Sequence, residues 1–299
     1  MRQKELWPRN AARNTPCRSS GYADLHIHSS ASDGRLPPAE VVQLAAREGF
    51  TAISICDHDT VAGLPDATAA ARKIGLELIP GLELTSYLGK NEVHILGYCF
   101  DYESPFLLAV LRRLCAERLK RMKDMIRLLG QLGVRLDQST IDQAAAFGSV
   151  GRLHLARALV EQGFVRDIKE AFGRYIGEGK PAHVPRAHLS PAEACGIITR
   201  VGGIPVLAHP HHLDNDKLIP TLVKDGVMGI EAFYGTVTSD LAEHYGDVAK
   251  KCGLLVTGGS DCHQNENGGF MIGAVKLDYR YVEKLKEKAA ELVAREGQQ

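Results

Sequence analysis

Short apolar runs rich in β-branched residues recur along this 299-residue chain, and nearly all of them carry, at or just past their ends, a residue able to bind metal. The runs are Tyr22 to His28, Ala52 to His58, Leu76 to Leu84, Glu92 to Tyr98, Ile204 to His209, Gly229 to Tyr234 and Leu254 to Ser260. Helical stretches separate them, so the pattern predicts βα units and a mainly parallel sheet or barrel. Pro37-Pro38 opens a helix over Ala39 to Glu48, Gly63 to Ile74 closes at Gly75, and Ser190-Pro191 starts a helix that reaches Arg200. From about Asp101 to His188 the alternation stops. There Leu107, Leu111, Leu114, Met122, Met125 and Leu129 recur at helical steps along one long helix, with shorter helices expected over Ser139 to Phe147, Gly151 to Gln162 and Asp167 to Gly173. The expected organisation is an α/β barrel over 21–100 and 189–299, a helical insert over 101–188, and a disordered tail over 1–20.

The candidate ligands are His26 and His28 in Asp24-Leu-His-Ile-His28, then Asp33, His58 in Asp57-His-Asp-Thr60, Glu83, His94, His209, and Asp261 with His263 in Gly259-Ser-Asp-Cys-His263. Residues two apart in a strand point to one side, so His26 with His28, and Asp261 with His263, each offer two ligands to one point. Taken singly, each motif has a plainer explanation: a surface HxH pair, a hydrogen-bonded core histidine, a turn acid beside Gly34. Together, six of the seven strands deliver a ligand to one rim, and in βα barrels the C-terminal rim carries the active site. Burying these acids and histidines without a cation would cost several kcal/mol for each unpaired charge. A catalytic zinc takes three protein ligands and keeps one position open, so nine candidates imply several ions.

Charge excludes less. Lys plus Arg equals Asp plus Glu at 36 each, which favours no nucleic-acid partner by itself. Arg112, Arg113, Arg118, Lys120, Arg121, Lys123 and Arg127 nevertheless give the long helix a basic face that either tracks RNA or serves solubility. The seven cysteines show no CxxC spacing, which predicts reduced thiols and a cytoplasmic location. No run of 18 apolar residues is present, so no membrane association is expected, and the Arg-rich first 20 residues lack the apolar core of a secretory signal.

The motif series resembles the polymerase and histidinol phosphatase (PHP) family of metal-dependent phosphoesterases, over about residues 22 to 275. The resemblance implies a distorted seven-stranded (β/α)7 barrel and three divalent ions, manganese first, with iron or zinc as alternatives. Carried over, His26, His28, Glu83 and Asp261 would hold one ion; Glu83, His94 and His209 a second; and Asp33, His58 and His263 a third. The helical insert and the paired Asp-His suggest the branch containing 3′,5′-nucleoside bisphosphate phosphatases and a 5′-to-3′ exoribonuclease. Two departures are Cys262, where relatives usually carry an aromatic residue, and His211-His212 after Pro210.

The implied reaction is hydrolysis of a phosphate ester by a metal-bridging hydroxide, with Asp261 accepting the water's proton and a nucleotide or short RNA as substrate. Arg152, His154 and Lys180, in the insert, are the expected substrate contacts. The alternatives are histidinol-phosphate phosphatase, a general amidohydrolase, and a non-catalytic metal-binding scaffold. No protein partner is inferred.

Overall fold

A computed structural model describes residues 21–137, 149–185, 189–213, 215–235, 237–264 and 271–296. The expected tail over 1–20, the helix over Ser139 to Phe147, and His188 lie outside these residues.

The seven expected runs are all strands: β1 Tyr22–Ile27, β2 Ala52–Ile55, β3 Glu77–Leu88, β4 Asn91–Tyr98, β5 Ile204–Leu207, β6 Gly229–Tyr234 and β7 Leu255–Gly259. An eighth, β8 Leu277–Asp278, pairs antiparallel with the start of β1 and was not expected; two residues are too few to leave a periodic signal. Among the described residues the sheet order is β7-β6-β5-β4-β3-β2-β1-β8. Beyond β7 the chain turns back to β1. His28 donates its backbone N–H to Cys262 at 3.0 Å and Asp261 donates to His26 at 2.7 Å, so the sheet curls into a nearly closed barrel.

Two expectations need correction. The sheet is less parallel than the alternation suggested, because β4 runs antiparallel to both β3 and β5. No helix separates β3 from β4: Leu88 pairs with Asn91 across Gly89 and Lys90, with Gly89 at φ 65°. A two-residue turn can join only antiparallel neighbours. Strand β3 also continues past Leu84, since Thr85 to Leu88 pair with His94 to Asn91.

Helices α1 Pro38–Arg47, α2 Leu64–Ile74 and α6 Pro191–Arg200 cover the outside of the sheet. Val41, Val42, Leu64, Ala67, Ala194 and Ile198 meet Ile53, Ile55, Leu84 and Ile95 in the main core. A second cluster of Leu25, Ile79, Leu96, Tyr98 and Val206 fills the barrel and is closed off by Val282 and Leu285 of α9 Arg280–Glu296. Between β4 and β5 lie α3 Pro105–Gln131, α4 Arg152–Glu161, and α5 Ile168–Ala171, which runs on into a π-helical turn, Phe172–Ile176. The predicted apolar stripe of α3 divides. Leu107, Leu111 and Leu114 join the barrel core, whereas Met122, Met125 and Leu129 form a separate core with Leu155, Leu159 and Ile176. Where the stripe divides, Arg118 pairs with the fully buried Asp59 and donates to Thr85 and Val150, bolting α3 to the barrel rim.

Candidate metal centre

At the rim, the Nε2 atoms of His26 and His28 stand 3.2 Å apart. Asp261 Oδ1 lies 3.4 Å and 3.0 Å from them, and Glu83 Oε2 lies 3.6 Å and 3.4 Å. Nitrogen and oxygen donors about 2.1 Å from one tetrahedral ion are about 3.4 Å from each other. These five separations are therefore those of a ligand shell.

Glu83, on β3 and only 1% exposed, is the hub. Its Oε1 is 2.8 Å from His94 Nδ1 and 3.2 Å from His209 Nε2, and its Oε2 is 2.9 Å from His58 Nδ1. Glu83 Oε2 and His58 Nδ1 are both buried, and neither has hydrogen-bond geometry with any partner despite their closeness. Two buried lone-pair atoms so placed fit a shared cation. Asp33 faces His263 Nε2 at 3.2 Å, His28 Nδ1 at 3.6 Å and His58 Nε2 at 3.7 Å. All nine sequence-derived candidates thus meet in one neighbourhood. Within it, donor atoms no more than 4.8 Å apart form the groups His28, Asp33, His58 and His263; His26, His28 and Asp261; and His58, Glu83 and His94. This partition differs from the expected one in giving His58 and His28 two neighbourhoods each, because both ring nitrogens of each face carboxylates.

The route by which ligands reach the rim also differs from expectation. Asp261 and His263 lie beyond the end of β7, and Asp261 has φ 51°, so strand alternation does not pair them: Asp261 joins His26 and His28, while His263 joins Asp33. His94 lies in the first half of β4, because an antiparallel strand starts at the rim where its parallel neighbours end. Asp59 and His209 also take positive φ, 52° and 26°. Such backbone costs about 1–3 kcal/mol per residue and clusters at functional sites.

These acids and imidazoles neutralise one another. Burial lowers the His28 pKa, but the facing carboxylates of Asp261 and Glu83 outweigh it and hold the ring at about 10. His94, against Glu83 and Glu92, is likewise held at about 10 despite burial. Burial pushes the carboxyls of Asp33, Glu83 and Asp261 up, yet the facing imidazoles carry each well below the ordinary range. Asp24 lacks comparable charge partners, and burial lifts it to about 7.

Several contributors escaped the sequence reading. Glu231 of β6 takes His26 Nδ1 at 3.0 Å and the backbone N–H of His209 at 2.8 Å. Its signal was a carboxylate inside Gly229-Ile-Glu-Ala-Phe-Tyr234, the single apolar run assigned no ligand. Glu92 holds His94 Nε2 at 3.1 Å, the Tyr234 hydroxyl donates to Asp261 Oδ2 at 2.8 Å, and Asp57 accepts from Ser29 and Ser32 beneath the Asp33 loop.

The expected substrate contacts fare unevenly. Arg152 donates to Glu92 at 3.0 Å and so reaches the edge of the centre. His154 Nδ1 accepts from Gly151 N–H at 3.1 Å, capping α4. Lys180 is exposed, whereas Arg157 donates to the Asp33 carbonyl at 2.8 Å. The His212 and His211 rings stand 4.8 Å and 6.5 Å from that of His209. Among the described residues six cysteines are free, and no helix is long and apolar enough to cross a membrane.

Comparison with known proteins gives a match to the PHP domain over residues 24–177. A 3′,5′-nucleoside bisphosphate phosphatase from Chromobacterium violaceum is 35% identical over 84% of this chain and 90% of its own length. A 5′-3′ exoribonuclease from Haemophilus influenzae is 36% identical over 80% and 89%. A crystal structure from Bifidobacterium adolescentis, provisionally described as a metal-dependent phosphoesterase, superposes with TM-score 0.81 at 28% identity, covering 91% of this chain and 96% of that one.

Proposed function

The chain belongs to the PHP family, and from that premise we propose that it is a metal-dependent phosphoesterase acting on nucleotides, with the 3′-phosphate of a 3′,5′-nucleoside bisphosphate as first choice and 5′-to-3′ release of nucleotides from short RNA as the related activity. The observation that carries this reading is the convergence of six imidazoles and three carboxylates at one barrel mouth with ligand-shell separations. The relatives' nucleotide and RNA substrates support the choice of substrate class. The seven longer strands are read as the family's distorted (β/α)7 barrel, with β8 as an added edge, and 101–188 as its helical insert.

Three divalent ions fit the donor set: His26, His28, Glu83 and Asp261 for one, Glu83, His94 and His209 for a second, Asp33, His58 and His263 for a third. Imidazole and carboxylate without thiolate suit manganese, iron or zinc, and manganese is the first choice. Ions held there supply Lewis acidity toward phosphoryl oxygens and activation of water near neutral pH.

The chain's own groups then orient and move protons. Tyr234 donates to Asp261 Oδ2 while Oδ1 faces His26 and His28, and Asp261 is our candidate acceptor of the attacking water's proton. Arg152 can exchange Glu92 for a substrate phosphate, with its planar guanidinium suited to two phosphoryl oxygens. His154, whose Nδ1 caps α4, and Lys180 are our weaker candidates for substrate contact on the same segment, which we read as a wall for the nucleoside.

Release of phosphate by the manganese-loaded protein from adenosine 3′,5′-bisphosphate, histidinol phosphate and a short 5′-phosphorylated RNA tests this. Turnover of the bisphosphate above histidinol phosphate is expected. Preference for histidinol phosphate overturns the substrate class, and no turnover of any ester overturns the enzyme reading.

A further inference from the structure

We propose that Glu231 is a positioning residue that couples two ion positions, by holding the His26 ring and the His209 backbone in their ligating poses at once. The inference rests on the metal-centre reading above. Glu231 lies in β6 with its side chain fully buried, and each of its oxygens meets a different partner: Oε1 takes His26 Nδ1 at 3.0 Å, and Oε2 takes the His209 backbone N–H at 2.8 Å.

The first contact sets a tautomer. A buried carboxylate on Nδ1 keeps the proton there and leaves the Nε2 lone pair toward His28, Asp261 and Glu83, an arrangement that orients and strengthens a ligating imidazole. The second contact secures strained backbone. His209 has φ 26° and ψ 62°, a conformation that persists only where the surroundings over-determine it, and Glu231 fixes its N–H. His26 stands with His28 and Asp261, whereas His209 stands with Glu83 beside His94, so one carboxylate braces both halves of the centre.

A glutamine of the same size offers one acceptor oxygen to two N–H donors, so one donor must face an amide N–H. Glu92 provides the comparison, since among the candidate ligands it meets His94.

Manganese binding by wild type, Glu231→Gln and Glu92→Gln, followed by equilibrium dialysis with electron paramagnetic resonance of the free ion, tests the coupling. The expected result is that Glu231→Gln weakens at least two binding events, each by about 10- to 100-fold, while Glu92→Gln weakens one. Added manganese should restore turnover by Glu231→Gln with an unchanged KM for substrate, a rescue that a general folding defect would not give. Where Glu231→Gln does not fold by circular dichroism, Glu231→Asp, which keeps two acceptors on a shorter stem, takes its place with the same expectation. Unchanged affinities, or weakening confined to one event, overturn the inference. Failure of the wild type to bind manganese, iron(II) or zinc at all instead overturns the metal-centre reading beneath it.

Discussion

Glu83 presents its two oxygens to five imidazoles, those of His26, His28, His58, His94 and His209, all within 3.6 Å. In the proposed centre such a side chain would be shared among ions, while Asp33 stands in the neighbourhood of His28, His58 and His263. Asp33→Ala is therefore expected to lose one ion per chain by elemental analysis and to lower turnover by about 100-fold or more. Full metal content in that variant would show that Asp33 is wrongly assigned. At this scale the ligands were legible because histidines spaced along strand ends advertise themselves. Glu231, Glu92 and Tyr234 were not, because an acid or phenol that orients another side chain has no spacing rule; its role exists only once distant strands are adjacent. His154 carries a related ambiguity: the residue that begins a helix near an anion site can also cap that helix, and its Nδ1 does so.

Packing of whole elements against each other adds demands that no single ligand reveals. A Cβ on Gly259 of β7 would stand 2.4 Å from both the Cβ and the backbone nitrogen of His26, so only glycine lets β7 come this close to β1. Gly259→Ala is expected to destabilise the fold by about 1–3 kcal/mol in urea unfolding and to weaken metal binding, since separating the strands separates His26 from Asp261. Wild-type stability and affinity in that variant would contradict the close approach. The Arg118–Asp59 pair makes a different demand. Arg118→Met removes the guanidinium from the buried Asp59 carboxylate and leaves its charge uncompensated by a cation there, with an expected loss of about 3–5 kcal/mol by chemical denaturation. A change under 1 kcal/mol would mean that water reaches Asp59 in solution. Strand positions and the α3 stripe could be read from periodicity. The β3–β4 hairpin could not, because Gly89-Lys90 lacks a strong turn signature and the continuation of β3 past Leu84 looks like a loop entry.

For the molecule as a whole, the histidine–carboxylate pairs of the centre make stability depend on pH, and the raised histidines set its direction on the alkaline side. His28 and His94 titrate at about 10 in the folded protein against an ordinary 6.5, because facing carboxylates outweigh burial. A raised histidine pKa contributes stability that is fully present below 6.5 and lost as pH rises through about 10. Cations bound as proposed would take over the carboxylates and displace those protons, so manganese binding is expected to strengthen with pH and the gain in Tm on adding manganese to widen from pH 6.5 to 9.5. A constant or shrinking gain would contradict the charge pattern. The barrel was legible at this scale because buried strands and covering helices alternate over most of the chain, while β8 and the turn back to β1 depend on contacts between the chain's two ends. That turn has a consequence for biosynthesis. Because Ile27 bridges to Cys262, a polypeptide still emerging from the ribosome lacks the segment that completes the ring until residue 262 has been made. Strand β1 waits unclosed, its early histidines wait without Asp261 and His263, and on the proposed ligand set the centre can be completed only after both have been synthesised.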